Sequence, residues 1–321
     1  NRATTVDASN GCRFWQSSDG DTWVEINHFL NSTAIEDLFV SLQTLFILLD
    51  DELYVFNDAT TPFVTVTSRT AAFNLSGLSC IAWHAGCDVN GVAHVFGASA
   101  NQSALKTSVD DGATFTQKVL LPVGINVFAA QSFNSKCYYM RQSNEGVTFR
   151  TELWSYDLAT TTDTLIYEFR GVRPAGSAAQ LPTNRSLTVL GNTLLIHLSD
   201  GSVWSCTTGN VITQEFENRN SVLGSSIGAI NHKNVAFGSD EVIKRIGTST
   251  YIYNGRRNIA DDESFVPAAS NGTIFLFTNF NGNAADNSIY RTASSPSSYY
   301  ASGNFITSEY AEIPAIDKLW Y

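Results

Sequence analysis

The sequence contains no run of basic residues. Its 321 residues carry 19 Lys and Arg against 30 Asp and Glu, a formal net charge of −11. Binding to a phosphate backbone needs clustered positive charge, so nucleic acid is not an expected partner. Charge of either sign is scarce, at 15% of residues, which together with the acidic balance fits a soluble surface of polar but mostly uncharged side chains. Long apolar runs are missing too. The longest candidate, LFVSLQTLFILLDDELYVF at 38 to 56, is interrupted by Ser, Gln, Thr and an acidic turn, and a membrane-spanning helix would need about 20 predominantly apolar residues. No membrane insertion is expected. Methionine occurs once, at Met140, and no signal-peptide pattern precedes the first strands, so the N-terminus is read as processed or as the start of a fragment.

Cysteine is also sparse. Cys12, Cys80, Cys87, Cys137 and Cys206 are odd in number and widely spread, which excludes a disulfide scaffold, and they lack the paired spacing of a zinc site. Cys80 and Cys87 are close enough in sequence for a local bridge. The preferred reading is reduced cysteines buried in strands such as KCYYM and VWSCT. Catalytic signatures are missing as well: there is no GxSxG, HExxH, P-loop or GxGxxG. The five histidines, His28, His84, His94, His197 and His232, have no ligand spacing. His84 and His94 could approach each other on adjacent strands, but a lone strand histidine is more often packed than metal-bound.

What the chain does have is 20 Phe, 12 Tyr and 6 Trp among many Ser, Thr, Asn and Gly, which favours short strands and tight turns over helices. One pattern recurs: an aliphatic or aromatic strand running into a polar turn. Its copies are CRFWQSSDG at 12, ELYVFND at 52, ALKTSVDDG at 104, ELWSYDL at 152, SVWSCTTG at 202, TYIYNG at 250 and SIYRTASS at 288. Their spacing is mostly about 40 to 50 residues, the span of a four-stranded propeller blade. Most copies are preceded by another apolar strand (LFILLDD, GVAHVFG, KCYYMRQ, NTLLIHLSDG, GTIFLFTNF) and several are followed by a third (PFVTVTS, ATFTQKVLL, TDTLIYEF, NVITQEF). A lone meander cannot cover its apolar face, whereas a ring of them can. The sequence therefore predicts an all-β fold, a β-propeller of four-stranded antiparallel blades. Seven blades are expected, or six if residues 12 to 26 complete the final blade. Helical spacing occurs only at AIEDLF, 34 to 39, where a turn of helix is conceivable. The propeller is assigned to residues 1–298. Residues 299–321, ending in the apolar IDKLWY, read as an exit strand toward a further element or partner subunit.

Two of the recurring turns share a finer pattern. In SVDDGATF, residues Ser108, Asp110, Gly112, Thr114 and Phe115 stand in the order S-x-D-x-G-x-T-[FW]. In SSDGDTW, Ser17, Asp19, Gly20, Thr22 and Trp23 repeat that order with one residue fewer before Gly. An Asp carboxylate can accept from backbone N–H groups of its own turn, Gly supplies a positive φ, and the aromatic packs back beneath the hairpin. This pattern resembles the Asp-box of sialidases, sortilin-type receptors, exo-acting glycosidases and many bacteriophage tail proteins. The resemblance implies that each turn joins the third and fourth strands of a blade on the outer rim, away from the central channel. It further implies that the ten residues have a structural role, with no catalytic part for Asp19 or Asp110.

Three functions follow from the resemblance. A sialidase-type glycosidase would hold its substrate carboxylate with three arginines, the first in a Phe/Tyr-Arg-Ile-Pro motif near the N-terminus. The nearest string here is FRGVRP, at 169 to 174 in mid-chain and with the wrong spacing, so enzymatic activity is not expected. A second reading rests on the segment YASGNFITSEYAEIPAIDKLWY, which resembles phage tail proteins in which a propeller is followed by a β-module of the form S-G-x-[FY]-x-[ST]-S. It implies a non-catalytic structural or adhesive component of a virion, in the tail or a tail fibre. Its partners would be other tail proteins, further copies of itself, and a host-surface glycan or protein on which aromatics such as Tyr299 and Tyr300 could stack. The third reading is a secreted or surface-bound propeller that binds carbohydrate. No cofactor is expected. Acidic clusters at Asp50, Asp51 and Glu52, at Asp110 and Asp111, and at Asp261, Asp262 and Glu263 leave structural calcium as a lesser alternative, since none has the alternating ligands of an EF-hand loop.

Overall fold

The computed structural model describes the backbone of the strands named below with their shorter turns, and side chains within 36–49, 52–56, 66–73, 82–99, 102–143, 150–169, 186–196, 198 and 202–215. Seven antiparallel sheets of three or four strands follow one another along these residues. The first holds β1 Arg2–Asp7, β2 Gly11–Gln16 and β3 Val24–Phe29. The second holds β4 Ile35–Ser41, β5 Thr44–Leu49, β6 Leu53–Phe56 and β7 Val66–Ser68. A single 3-10 turn at Thr70–Ala72 and a two-stranded ribbon, β8 Asn74–Leu75 with β9 Leu78–Ser79, lead into the third sheet. That sheet comprises β10 Ala82–Val89, β11 Val92–Ser99, β12 Gln102–Ser108 and β13 Thr116–Leu120. The fourth comprises β14 Ile125–Phe133, β15 Lys136–Glu145, β16 Thr148–Asp157 and β17 Thr162–Arg170.

The fifth sheet is β18 Leu187–Leu190, β19 Thr193–His197, β20 Ser202–Thr207 and β21 Ile212–Glu217. The sixth is β22 Ile227–Ile230, β23 Asn234–Phe237, β24 Glu241–Ile246 and β25 Thr250–Arg256. The seventh is β26 Glu263–Ser270, β27 Thr273–Phe280 and β28 Ile289–Arg291. Within every sheet the strand order is the chain order, as in an up-and-down meander. From the second sheet to the seventh, the first strands stand side by side: β4 against β10, then β14, β18, β22 and β26. A succession of twisted meanders packed through their first strands is the arrangement of a β-propeller, in which each four-stranded sheet is a blade.

The core lies between blades. Phe46, Leu48, Leu53 and Val55 of the β4–β7 blade meet Trp83, Ala93, Val95 and Ala104 of the β10–β13 blade, with Phe73 wedged between. On its other face that blade presents Ala85, Cys87, Phe96 and Leu105 to Val127, Cys137, Tyr139 and Tyr156 of the β14–β17 blade. Met140, Leu153 and Phe169 then pack on Leu194, Ile196 and Cys206 of the β18–β21 blade. The middle strands are buried on both faces, which is why LFILL, VAHVF and YYM read as continuous apolar runs without clean alternation.

The segment AIEDLF is not a helical turn. It forms the bulk of β4, where the register shifts between Ile35 and Asp37, leaving Glu36 as an extra residue. The same bulge recurs in the first strands of the next two blades, at His84 and at Phe128. A one-residue bulge inverts the alternation of side chains beyond it. It therefore spaces Ile35, Leu38 and Phe39 as a helix would, and that spacing produced the helical expectation.

Candidate functional site

The turn from Ser108 to Phe115 joins β12 to β13, the third and fourth strands of their blade. Ser108 is its pivot. Its hydroxyl donates to Asp110 Oδ1 at 2.8 Å and accepts from the Gly112 amide at 2.9 Å. Asp110 then closes the far side: its Oδ1 accepts from the Thr114 amide at 2.9 Å and its Oδ2 from the Thr114 hydroxyl at 2.6 Å. The Ala113 amide adds a backbone bond to the Asp110 carbonyl. These bonds from Thr114 hold the exposed Asp110 carboxyl below the usual carboxylate range.

Asp111 and Gly112 both have positive φ, 56° and 74°. Gly is required at the second position. A Cβ on Gly112 would stand 3.1 Å from Phe46 Cε1 and 3.3 Å from Arg69 Cγ, in a backbone conformation that L side chains rarely adopt. Beneath the turn, Phe115 meets Phe73 edge to face at 5.3 Å, and Phe73 meets Trp83 likewise at 4.8 Å. The aromatic that ends the motif thus reaches the core between two blades. Asp111 links outward: its Oδ1 accepts from Thr44 Oγ1 at 2.6 Å and its carbonyl from Arg69 Nε at 3.2 Å, both on the preceding blade.

Ser17, Asp19, Gly20, Thr22 and Trp23 lie outside the described residues, but the strands that flank them are described. Gln16 pairs with Val24 across the first turn as Thr107 pairs with Thr116 across the second. In each hairpin the register shifts between the third and second residues before the motif serine, at Phe14/Trp15 and at Leu105/Lys106. The loops differ by the single residue that separates SSDGDTW from SVDDGATF. Hence β2 and β3 pair as a third and a fourth strand do. Asp110→Ala is expected to lower stability by about 1 to 2 kcal/mol, for the loss of two bonds to Thr114 at an exposed turn. Urea denaturation followed by tryptophan fluorescence would measure it.

Among the described residues, several groups that could carry chemistry have other partners, and the side chains of His28, His197 and His232 lie outside the described residues. His84 Nε2 lies 3.4 Å from Ser103 Oγ, while His94 Nδ1 donates to the Val92 carbonyl at 2.9 Å, so the two rings have different partners. Burial lowers both, His84 to about 4. Glu152 Oε2 accepts from Arg141 Nε at 2.7 Å and from Trp154 Nε1 at 2.8 Å, and the guanidinium lies 3.7 Å above the Trp154 ring. Both oxygens of Asp163 accept from the Tyr139 hydroxyl at 2.8 Å, in a setting where burial pushes the carboxyl up. Among the described residues no group of three or more His, Cys, Asp or Glu could hold a metal ion. In the acidic clusters, Glu52 Oε2 accepts from the Tyr54 hydroxyl, and Asp50, Asp51, Asp261 and Asp262 lie outside the described residues. So do Cys80, the stretch 171–174 of FRGVRP, and the entire segment from 292 to 321.

Sequence reasoning did not anticipate the hydrogen bonds between neighbouring blades. Ser41 Oγ donates to Asp88, the Gly86 amide donates to Asp37, Asn134 Nδ2 donates to the Thr208 carbonyl and Tyr138 OH to Asn210. Each joins consecutive blades and spans 47 to 74 residues of sequence. No local pattern marks such a contact.

No family model and no curated protein matches the chain. Solved structures do. A Bacteroides fragilis protein assigned as a 6-phosphogluconolactonase superposes with a TM-score of 0.54 at 9% identity, over 90% of this chain and 92% of that one. The fold is that of a β-propeller. BamB from Moraxella catarrhalis gives 0.48 at 11% identity, over 85% and 81% of the two chains. The extracellular domain of a one-component system from B. thetaiotaomicron gives 0.47 at 14%, and the chain spans 40% of that domain's length. At such identities the likeness is one of architecture, which many unrelated functions share.

Proposed function

We propose that this propeller is a non-catalytic structural or adhesive component of a virus particle, in a bacteriophage tail or tail fibre. The observation that carries the reading is the C-terminal segment YASGNFITSEYAEIPAIDKLWY, with its resemblance to the β-module that follows propellers in phage tail proteins. The two hairpins carrying SSDGDTW and SVDDGATF support it. The hairpins share one register, the second carries the Ser108–Asp110–Thr114 staple, and the Asp-box that both sequences resemble is frequent in such proteins. The links from turn to neighbouring blade add support, since they suit a disk that resists shear rather than one that opens around a substrate.

In this reading the chain assembles with other tail proteins and with further copies of itself. Loops other than the stapled turns contact the host surface. Incubation with a fluorogenic sialoside and a panel of polysaccharides is expected to give no turnover above a buffer control. Turnover comparable to that of a known sialidase would overturn the proposal.

A further inference from the structure

Cys87 and Cys137 come from different blades and meet. Cys87 lies on β10, the first strand of its blade, opposite His94. Cys137 lies on β15, the second strand of the next, opposite Tyr156. Their sulfurs are 3.5 Å apart, both side chains are buried, and neither is bonded to another cysteine. They sit in the cluster that joins the two blades, among Phe96, Leu105, Tyr139 and Tyr156. Cys206, the third buried thiol, lies on the opposite face of the β14–β17 blade with Leu194 and Ile196.

We propose that Cys87 and Cys137 form an inter-blade disulfide when the chain folds in an oxidising medium. A disulfide needs the sulfurs at about 2.05 Å. At 3.5 Å the sulfurs stand in contact without being bonded, so closure requires them to move about 1.5 Å closer. With oxidised glutathione as the oxidant, one cysteine thiolate attacks a glutathione sulfur, and the first glutathione leaves as thiolate. The second cysteine then attacks the mixed disulfide and expels the other glutathione. Both thiol protons end on the two glutathiones released, the protein pair is oxidised by two electrons, and the glutathione disulfide is reduced. The bond closes a chain segment of 50 residues and ties one blade to the next, as Ser41 and Asp88 do by a hydrogen bond at the preceding junction. Constraint of that segment in the unfolded chain is the source of stabilisation. The inference holds whatever appendage or surface the propeller occupies.

The test renatures the full chain in a glutathione redox buffer, which gives the thiols access before burial, and confirms folding by circular dichroism. Free thiols are then alkylated, and unreduced peptides are mapped by mass spectrometry. The expected product is a linked peptide pair containing Cys87 and Cys137, lighter by two hydrogen atoms than its separate members, with Cys206 alkylated. Reductant is expected to lower Tm by about 5 °C in the wild type and to leave Tm unchanged in the Cys87→Ser, Cys137→Ser double variant. Folded protein with Cys87 and Cys137 both alkylated, or with Cys87 linked to Cys80, would overturn the inference.

Discussion

Trp83→Ala is expected to cost about 3 to 5 kcal/mol of folding stability, a large part of what a domain usually has. Trp83 is 1% exposed and belongs to the last residues of β10 before the bulge at His84. It fills the space between two blades, against Phe46, Leu48, Leu53 and Val55 of one and Ala93 and Val95 of its own. Its edge contact with Phe73, which in turn supports Phe115, connects that packing to the Ser108–Phe115 turn. Removing the indole therefore leaves a cavity lined from two blades, which neither can close without moving the other. The indole N–H has no hydrogen-bond partner among the described residues, so Trp83→Phe, which removes that group and keeps an aromatic ring, is expected to cost about 1 to 2 kcal/mol. Urea midpoints for the two variants would separate packing from polar satisfaction, provided the m-value is unchanged.

Acidification is expected to destabilise the wild type more than His84→Gln. Burial lowers the His84 pKa from 6.5 to about 4. A folded-state pKa below the unfolded one means that the native state resists protonation. The stability this neutral imidazole contributes is thus complete above pH 6.5 and is lost as pH falls toward 4. Because His84 is half-buried by area, the differential loss is taken as about 2 kcal/mol rather than the full linkage value. Gln cannot titrate, yet it can still donate to Ser103 Oγ. His94 and the carboxylates titrate in both proteins and cancel in the difference. Unfolding free energies of the two proteins at neutral pH and near pH 4 give the comparison, and parallel losses would show that His84 is protonated freely in the folded state.

Most of the fold was legible because third strands end in turns whose chemistry is local. The copies at 52, 104, 152 and 202 fall on β6, β12, β16 and β20, and that at 288 on β28. The copy at 250 falls one strand late, on β25. The third strand there is β24, EVIKRI, which has no aromatic, whereas TYIYNG supplied the aromatic and the turn that the pattern looks for. First strands were the hardest to read. Their bulges at Glu36, His84 and Phe128 break the alternation that marks a strand, and only pairing with the second strand reveals them. Within the motif, the reach of Asp110 to Thr114 follows from spacing in one turn. The bond from Thr44 to Asp111 crosses 67 residues and depends on how two blades sit, which no local spacing encodes.

Labelling with an antibody against this chain, on phage particles purified from a culture that produces it, tests the proposed role most directly by electron microscopy. Gold at a fixed position on the tail, at a constant copy number per particle, is the predicted result. Particles without label, with the protein recovered instead from the host surface or the medium, would contradict it.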